Sequence, residues 1–298
     1  MKRTIKVEED QLRNALLDKI AKPGSGGISQ LRDIPKVMRS RLGWPVAAQL
    51  MDRWFNSPFF RMPVPMKFSQ APYRLSQLHP AHIDERIVTM RWALGFSRVR
   101  HSMAALQNGW ATPAGLDELR AKVKRSASMC HRRPWRFGDL GLPAKILDDT
   151  CQTNIVGVGR ISDPKDDFYG AIGRASLKVA VSGVVTHRPD GTSFITVDEL
   201  GFYLRDSYEF NDNGSFISQF LGFWGFNGVD TMPQLRGQIQ VEDTQSDLTE
   251  KELALLKYRV QNSDFDRWRQ KHAAGGDFML VSDVHRHRLP KPLAFQIS

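Results

Sequence analysis

The sequence predicts an α+β protein: a helical N-terminal half, then a mainly antiparallel β-sheet or half-barrel with a helical insertion. Three observations predict it. Apolar residues recur at helical spacing between Leu31 and Met129, as in the stripe Val46, Leu50, Met51, Trp54 and Phe55. After about residue 150, alternating runs bounded by turn residues take over. Charge divides the chain as well: residues 1–138 hold 25 Lys/Arg and 10 Asp/Glu, whereas residues 139–298 hold 17 and 22. Three segments are expected: 1–28, a helical docking or delivery domain at 29–145, and a β-rich catalytic domain at 146–298.

Taken in order, Glu8–Ala21 has the spacing of a short helix, and Lys22–Gly27 is a flexible break. Asp33 and Pro35 are placed to open a helical segment, and Pro45–Phe55 is a second helix. Pro58–Pro72 carries too many prolines for a regular helix and reads as an extended connection. Asp84–His101 has helical spacing; Thr112 caps a further helix with Leu116, Leu119 and Val123. Cys130–Lys145, with Arg132, Arg133 and Arg136 around Trp135, has the charge to bind an anion and is read as a linker.

Ala175–His187 is a long strand, Arg188–Gly191 a tight turn, and Ser193–Val197 the returning strand. Gly201–Phe210 and Leu235–Glu242 continue as third and fourth strands of an antiparallel meander. Thr249–Glu252 is a capping box, and Ser263–Asp266 resembles a second cap for a helix that Gly275-Gly276 stops. Asp277–Val284 is a last long strand and Pro290–Ile297 a terminal extension.

With 298 residues, 41% hydrophobic and 25% charged, the composition is that of a globular protein. No apolar run is long enough for a membrane span, and no secretory signal pattern follows the first basic residues. The chain is therefore expected to be made in the cytoplasm and to reach any other compartment by a dedicated export machine. Cys130 and Cys151 have no metal-ligand spacing, and a bridge between them is left open. Nucleotide-binding, zinc-hydrolase, serine-hydrolase and kinase patterns are absent. The net charge of +10 fits an anionic partner. Its cations are scattered and no nucleic-acid motif occurs, so no specific nucleic acid is expected.

Three constellations carry the chemistry. Gly201–Phe210 gathers Arg205, Asp206, Tyr208 and Glu209 at a strand end, followed by Asn211 and turn residues. Alternation puts Asp206 and Tyr208 on one face and Arg205 and Glu209 on the other. Such a set suits metal-assisted attack on phosphorus or carbonyl, with Asp206 and Glu209 as ligands of a divalent cation such as Mg2+, or as base. His285-Arg-His-Arg288 separates His285 and His287 from Arg286 and Arg288 by the same alternation, one face offering a base and the other phosphate-pairing guanidiniums. In Arg267–His272, Arg267 and Lys271 share a helix face, His272 lies beside Trp268, and Asp264 is placed to pair with Arg267.

Two family resemblances follow from particular residues. Asp33-Ile-Pro, Trp44–Ala48 through Met51–Phe55, Thr89–Phe96, Tyr169–Gly173, Leu221–Trp224 and Asn262 through Gly275–Phe278 resemble the bacterial family DUF6402. That resemblance implies a setting of contact-dependent secretion and interbacterial toxins. Val181–Asn211 is similar to the active-site region of the colicin M family, which cleaves lipid II between polyprenyl chain and pyrophosphate with magnesium. Asp206 and Tyr208 match that family's motif, and Glu209 stands where it has a second Asp. Ser215 and Phe216 occupy the places of its His-Arg pair. Either that chemistry has been lost in this chain, or His272 or His285, with Arg267 or Arg286, supplies the missing groups from elsewhere in the fold.

The expected function is that of an antibacterial type VI-type effector: a phosphodiesterase or pyrophosphate hydrolase acting on lipid II at the periplasmic membrane surface of a target bacterium. The expected catalytic residues are Asp206, Tyr208, Glu209, His272 and His285, and the substrate-binding residues Arg205, Asn211, Arg267, Lys271 and Arg286. Its partners would be lipid II or a related polyprenyl-phosphate lipid, an immunity protein and the secretion apparatus. The alternative from another class is a non-enzymatic secretion-particle component, an adaptor, or a pore-forming effector.

Overall fold

The structure, a computed structural model, describes residues 31–70, 72–130, 133–160, 162–212, 219–225, 228–230 and 258–297. The expected helix Glu8–Ala21, strand Leu235–Glu242 and capping box Thr249–Glu252, with Ser215 and Phe216, lie outside the described residues. The longer helices are α1 (Pro45–Asn56), α2 (Ser97–Gly109), α3 (Pro113–Arg125), α4 (Ala144–Thr150) and α5 (Asn262–His272). The first five strands are β1 (Ile83–Asp84), β2 (Trp135–Phe137), β3 (Gln152–Val158), β4 (Ala175–His187) and β5 (Ser193–Tyr208). They are followed by β6 (Phe220–Gly225), β7 (Gly228–Asp230), β8 (Tyr258–Gln261), β9 (Phe278–Val281) and β10 (His285–Gln296). The chain is α+β, with helices first and a curled mixed sheet after them. No helix among the described residues is long and apolar enough to cross a membrane.

Two compact units interleave along the chain. One comprises Met1–Phe60 with Phe210–Gly275, the other Arg61–Glu209 with Gly276–Ser298. In the first unit, β6 pairs antiparallel with both β7 and β8. Its core is aromatic: Trp54 and Phe55 of α1 meet Phe265 and Trp268 of α5, and Phe210 stacks on Phe265 at 3.7 Å. Gly275 lies against this core with φ +92, where a Cβ would fall 2.7 Å from the Trp54 ring.

In the second unit, β5 is the organising strand. It pairs antiparallel with β4 on one side, and with β10 and then β9 on the other. The far edge of β4 receives β3 and β2, and β1 adds parallel to β9. Both faces of β4 and β5 are covered, so β4 reads as an almost continuous buried run rather than an alternating one. Tyr203 and Lys178 share one face with α4, while Phe202, Leu204 and Val179 point to the other.

Several boundaries differ from expectation for identifiable reasons. The two strands Ser193–Val197 and Gly201–Phe210 are one strand, joined through a bulge: Glu199 pairs with Ser182 and Val197 with Gly183, leaving Asp198 unmatched. The single helix expected over Asp84–His101 is interrupted. Asp84 accepts the backbone N–H groups of Arg86 and Ile87, and Thr89 caps a separate turn at Met90–Ala93. Cys130–Lys145 contains β2 and is part of the sheet, not a plain linker.

Thr112 caps α3 as expected, its hydroxyl accepting from Gly115 N–H at 3.1 Å. Asp33 makes no side-chain cap, and α5 is boxed by Gln261 and Asp264, two residues before the expected pair. That helix ends at Ala273, itself left-handed at φ +47, ahead of the glycines. The last strand is two, β9 and β10, and the β10 ladder breaks between Arg288 and Leu293, where Pro290 and Pro292 remove donors. Cys130 and Cys151 are both free thiols.

Candidate anion-binding cleft and the Asp206 strand end

Asp206 and Tyr208 leave β5 on the face of Leu204, opposite Leu280 and Phe278 of β9. Tyr208 is buried, its ring stacked on Phe278 at 5.1 Å. Asp206 keeps part of its surface, yet protein atoms crowd its carboxyl closely. Burial, the dominant cause, pushes it up to about 8, with Glu209 adding repulsion and Ser207 N–H, Arg205 and Arg174 opposing. Arg205 and Glu209 serve another purpose. Arg205 donates to the carbonyl of Lys67 at 2.7 Å and to the Ser69 hydroxyl at 2.8 Å, while Glu209 pairs with the Lys67 ammonium. Together they clamp the turn at residues 64–69.

At this strand end Glu209 is paired with Lys67, and burial raises the Asp206 carboxyl above the usual carboxylate range, so neither acid stands ready as an open ligand for a divalent cation. Among the described residues, no three His, Cys, Asp or Glu side chains gather as a metal-holding group.

The remaining expected residues divide between the two units. Asn211, Arg267, Lys271 and His272 belong to the first. There the Asn211 carbonyl accepts from Asn262, Arg267 pairs with Asp264, and exposed His272 stacks on Trp268 at 4.6 Å, beside exposed Lys271. His285 and Arg286 belong to the second, on opposite faces of β10. His287, on the His285 side, hydrogen-bonds Gln107 of α2 at 3.0 Å.

Arg286 enters a cleft of about 700 Å³ that Arg136, Arg288, Ser182, Asp198 and Glu199 also line. Local structure explains the grouping. The bulge at Asp198 turns two consecutive acids toward one space, Asp198 gripped by Arg136 at 2.8 and 3.1 Å, Glu199 gripped by Arg286 through two bonds of 2.9 Å. These bonds hold both guanidiniums in the charged form. Arg288 pairs in register with Glu199 and has no ion pair among the described residues. Ser182 donates its hydroxyl to the Gly138 carbonyl at 2.6 Å. At φ +73, Gly138 presses so close to β4 that a Cβ would meet the Val181 carbonyl at 2.2 Å. Glu199 and Asp206 are seven positions apart on β5, hence on opposite faces and roughly 23 Å apart at about 3.3 Å per residue. The cleft and the Asp206 end are separate places.

Sequence reasoning named Arg286 and Arg288 as phosphate-pairing candidates and noted the cations around Trp135. It passed over Asp198 and Glu199, whose convergence depends on a bulge that alternation does not signal. It also passed over a buried network in which Asp148 of α4 accepts from Lys178 at 2.6 Å and from the Tyr203 hydroxyl at 2.7 Å. Burial lowers the Lys178 ammonium and raises the Tyr203 phenol, the latter with help from Asp148. Nearby Cys151 is pushed up to about 11 by burial, which makes it an inert thiol.

Fold and site together define an α+β protein whose curled mixed sheet opens a charged cleft at a β-bulge. The chain belongs to DUF6402, a family of unknown function whose model matches residues 29–297. No curated protein and no solved structure matches it.

Proposed function

We propose that this protein is an antibacterial effector that hydrolyses the polyprenyl-pyrophosphate linkage of lipid II, with the pyrophosphate received in the Arg136–Arg286–Arg288 cleft. One observation carries the reading: three guanidiniums converge on a single cleft of about 700 Å³, a volume suited to a small ligand or head group. Two of them are occupied by the protein's own carboxylates. An entering pyrophosphate competes for the same forks, and its denser charge favours the exchange. Glu199, released from Arg286, then lies beside the bound phosphorus as a base for water. Water adds to phosphorus, its proton passes through the carboxylate to the leaving oxygen, and polyprenol departs. The substrate class is taken from the colicin M resemblance, which lies at the Asp206 strand end and not in this cleft, and no step is routed through a metal. Delivery apparatus and immunity protein are the partners this reading entails.

The test incubates purified protein with lipid II, with and without magnesium, and follows release of the pyrophosphorylated disaccharide peptide. Arg286→Ala is expected to lower release about 100-fold, the scale for one positioned charge-stabilising donor, and Arg286→Lys to recover part of it. Asp206→Ala is expected to retain release. Loss in Asp206→Ala with Arg286→Ala active would move the chemistry to the strand end. No release by the unaltered chain in either buffer, with killing from the periplasm undiminished in both variants, would leave the non-enzymatic alternative standing.

A further inference from the structure

We infer that the turn Val64–Ser69 is a membrane-contact prong that seats this unit on an anionic bilayer surface. Its build separates an anchored inner side from an apolar outer side. Met62 and Met66 are buried, whereas Val64 is 50% and Phe68 65% exposed, the latter the most exposed large hydrophobic side chain among the described residues. The spacing of four places Val64 and Phe68 on one side of the turn.

Ser69 follows at φ +50, a left-handed conformation that serine adopts rarely, and Arg205 holds it there through the Ser69 hydroxyl and the Lys67 carbonyl. Glu209 secures the Lys67 ammonium. Arg205 and Glu209 thus fasten the residues on either side of Phe68, while its own ring stands 65% exposed.

Charge selects the occupant. No Asp or Glu occurs between Asp52 and Asp84, while Arg61 and Arg74 flank the turn in the chain and are exposed. Exposed apolar side chains flanked by Arg61 and Arg74, with the nearby acids Glu209 and Asp277 engaged by Lys67 and by the Met62 N–H, match the interface of a bilayer carrying anionic lipid. The inference stands on these residues and not on the hydrolytic reading, although a lipid-borne substrate would lie at the same surface.

Sedimentation with vesicles of phosphatidylcholine, with or without phosphatidylglycerol, tests it. The chain should pellet with the anionic vesicles, Phe68→Ala should weaken that binding about tenfold, and Val64→Ser should add to the loss. Both side chains are exposed, so the variants should keep the parental melting temperature. Hydrogen exchange in peptide 61–70 should slow on vesicles. A chain that stays in the supernatant, or a Phe68→Ala variant that pellets equally well, would overturn the inference. So would a lipid-free dimer that Phe68→Ala converts to monomer, since the turn would then be a self-association face. Loss of lipid II cleavage with vesicle binding intact would count against the hydrolytic reading alone.

Discussion

At the scale of single residues, Asp206 shows how position on a strand decides what a carboxylate does. Its folded-state value of about 8 lies above the unfolded carboxylate value of about 3.9. Between these values the folded chain keeps a proton that the unfolded chain has lost. Stability contributed by the neutral carboxyl is therefore complete below about pH 4 and falls as pH rises to about 8, by at most about 1.4 kcal/mol per unit. Asp206→Asn, which mimics the neutral form, should match the parent at pH 4 and exceed it in melting temperature at pH 8.5. A parallel loss in both proteins across that range would refute the burial assignment. Gly275 makes a second residue-scale prediction. Its φ of +92 and the Trp54 ring 2.7 Å from a would-be Cβ leave no room for alanine. Gly275→Ala should cost about 2–4 kcal/mol in urea unfolding, summing overpacking and backbone strain. The local chemistry at both positions is written in the sequence. What it omits is which neighbour crowds the group.

Among the elements, the join of α4 to the sheet and the bulge in β5 carry the most consequence. Asp148, Lys178 and Tyr203 form a buried, fully engaged set. Asp148→Ala would leave the Lys178 ammonium without its partner in the interior and should cost about 3–5 kcal/mol, the scale for breaking a buried pair. Lys178→Met on that background should recover part of the loss, because no buried charge remains to be compensated. Failure of the second change to restore stability would argue that Asp148 acts mainly through Tyr203. The bulge gives a paired test. Asp198→Ala removes only a half-exposed ion pair with Arg136 and should change stability by no more than about 1 kcal/mol. Deleting Asp198, the unmatched residue, leaves Val197 opposite Gly183 and Glu199 opposite Ser182, so both flanking registers survive and the cost should again stay within about 1 kcal/mol; a loss above about 3 kcal/mol would show that the sheet needs the bulge itself. β4 was legible to the residue because its run is long and ends at a clear turn. β2 and β3 were not: their short polar-rich stretches pair only through contact with β4.

For the whole molecule, the interleaved units make a prediction about excision. Tyr208 and Phe278 are register partners on adjacent strands, so the chain leaves and re-enters the second unit at neighbouring points. Joining Glu209 to Gly276 through a short glycine turn should give a soluble chain of residues 61–209 and 276–298 with a cooperative melt. Recovery only as aggregate would show that this sheet needs the other unit to fold. A chain begun at residue 61 but retaining 210–275 should instead be poorly soluble, because Phe210 and Phe265 lose Trp54 and Phe55.

By itself the sequence determined the α+β class, the order of helices before sheet, the Thr112 cap, the extent of β4 and the opposed faces of Arg286 and His285. These follow from period, turn residues and capping chemistry, all of which act over a few neighbouring positions. Only the tertiary structure decided that Arg136, Asp198, Glu199 and Arg286 share a cleft, that Tyr208 is a core ring, and that Arg205 and Glu209 clamp a turn about 140 residues away. Those outcomes depend on strand register, a bulge and long-range pairing. A register shift of one residue reverses every side chain, while the local sequence pattern scarcely changes.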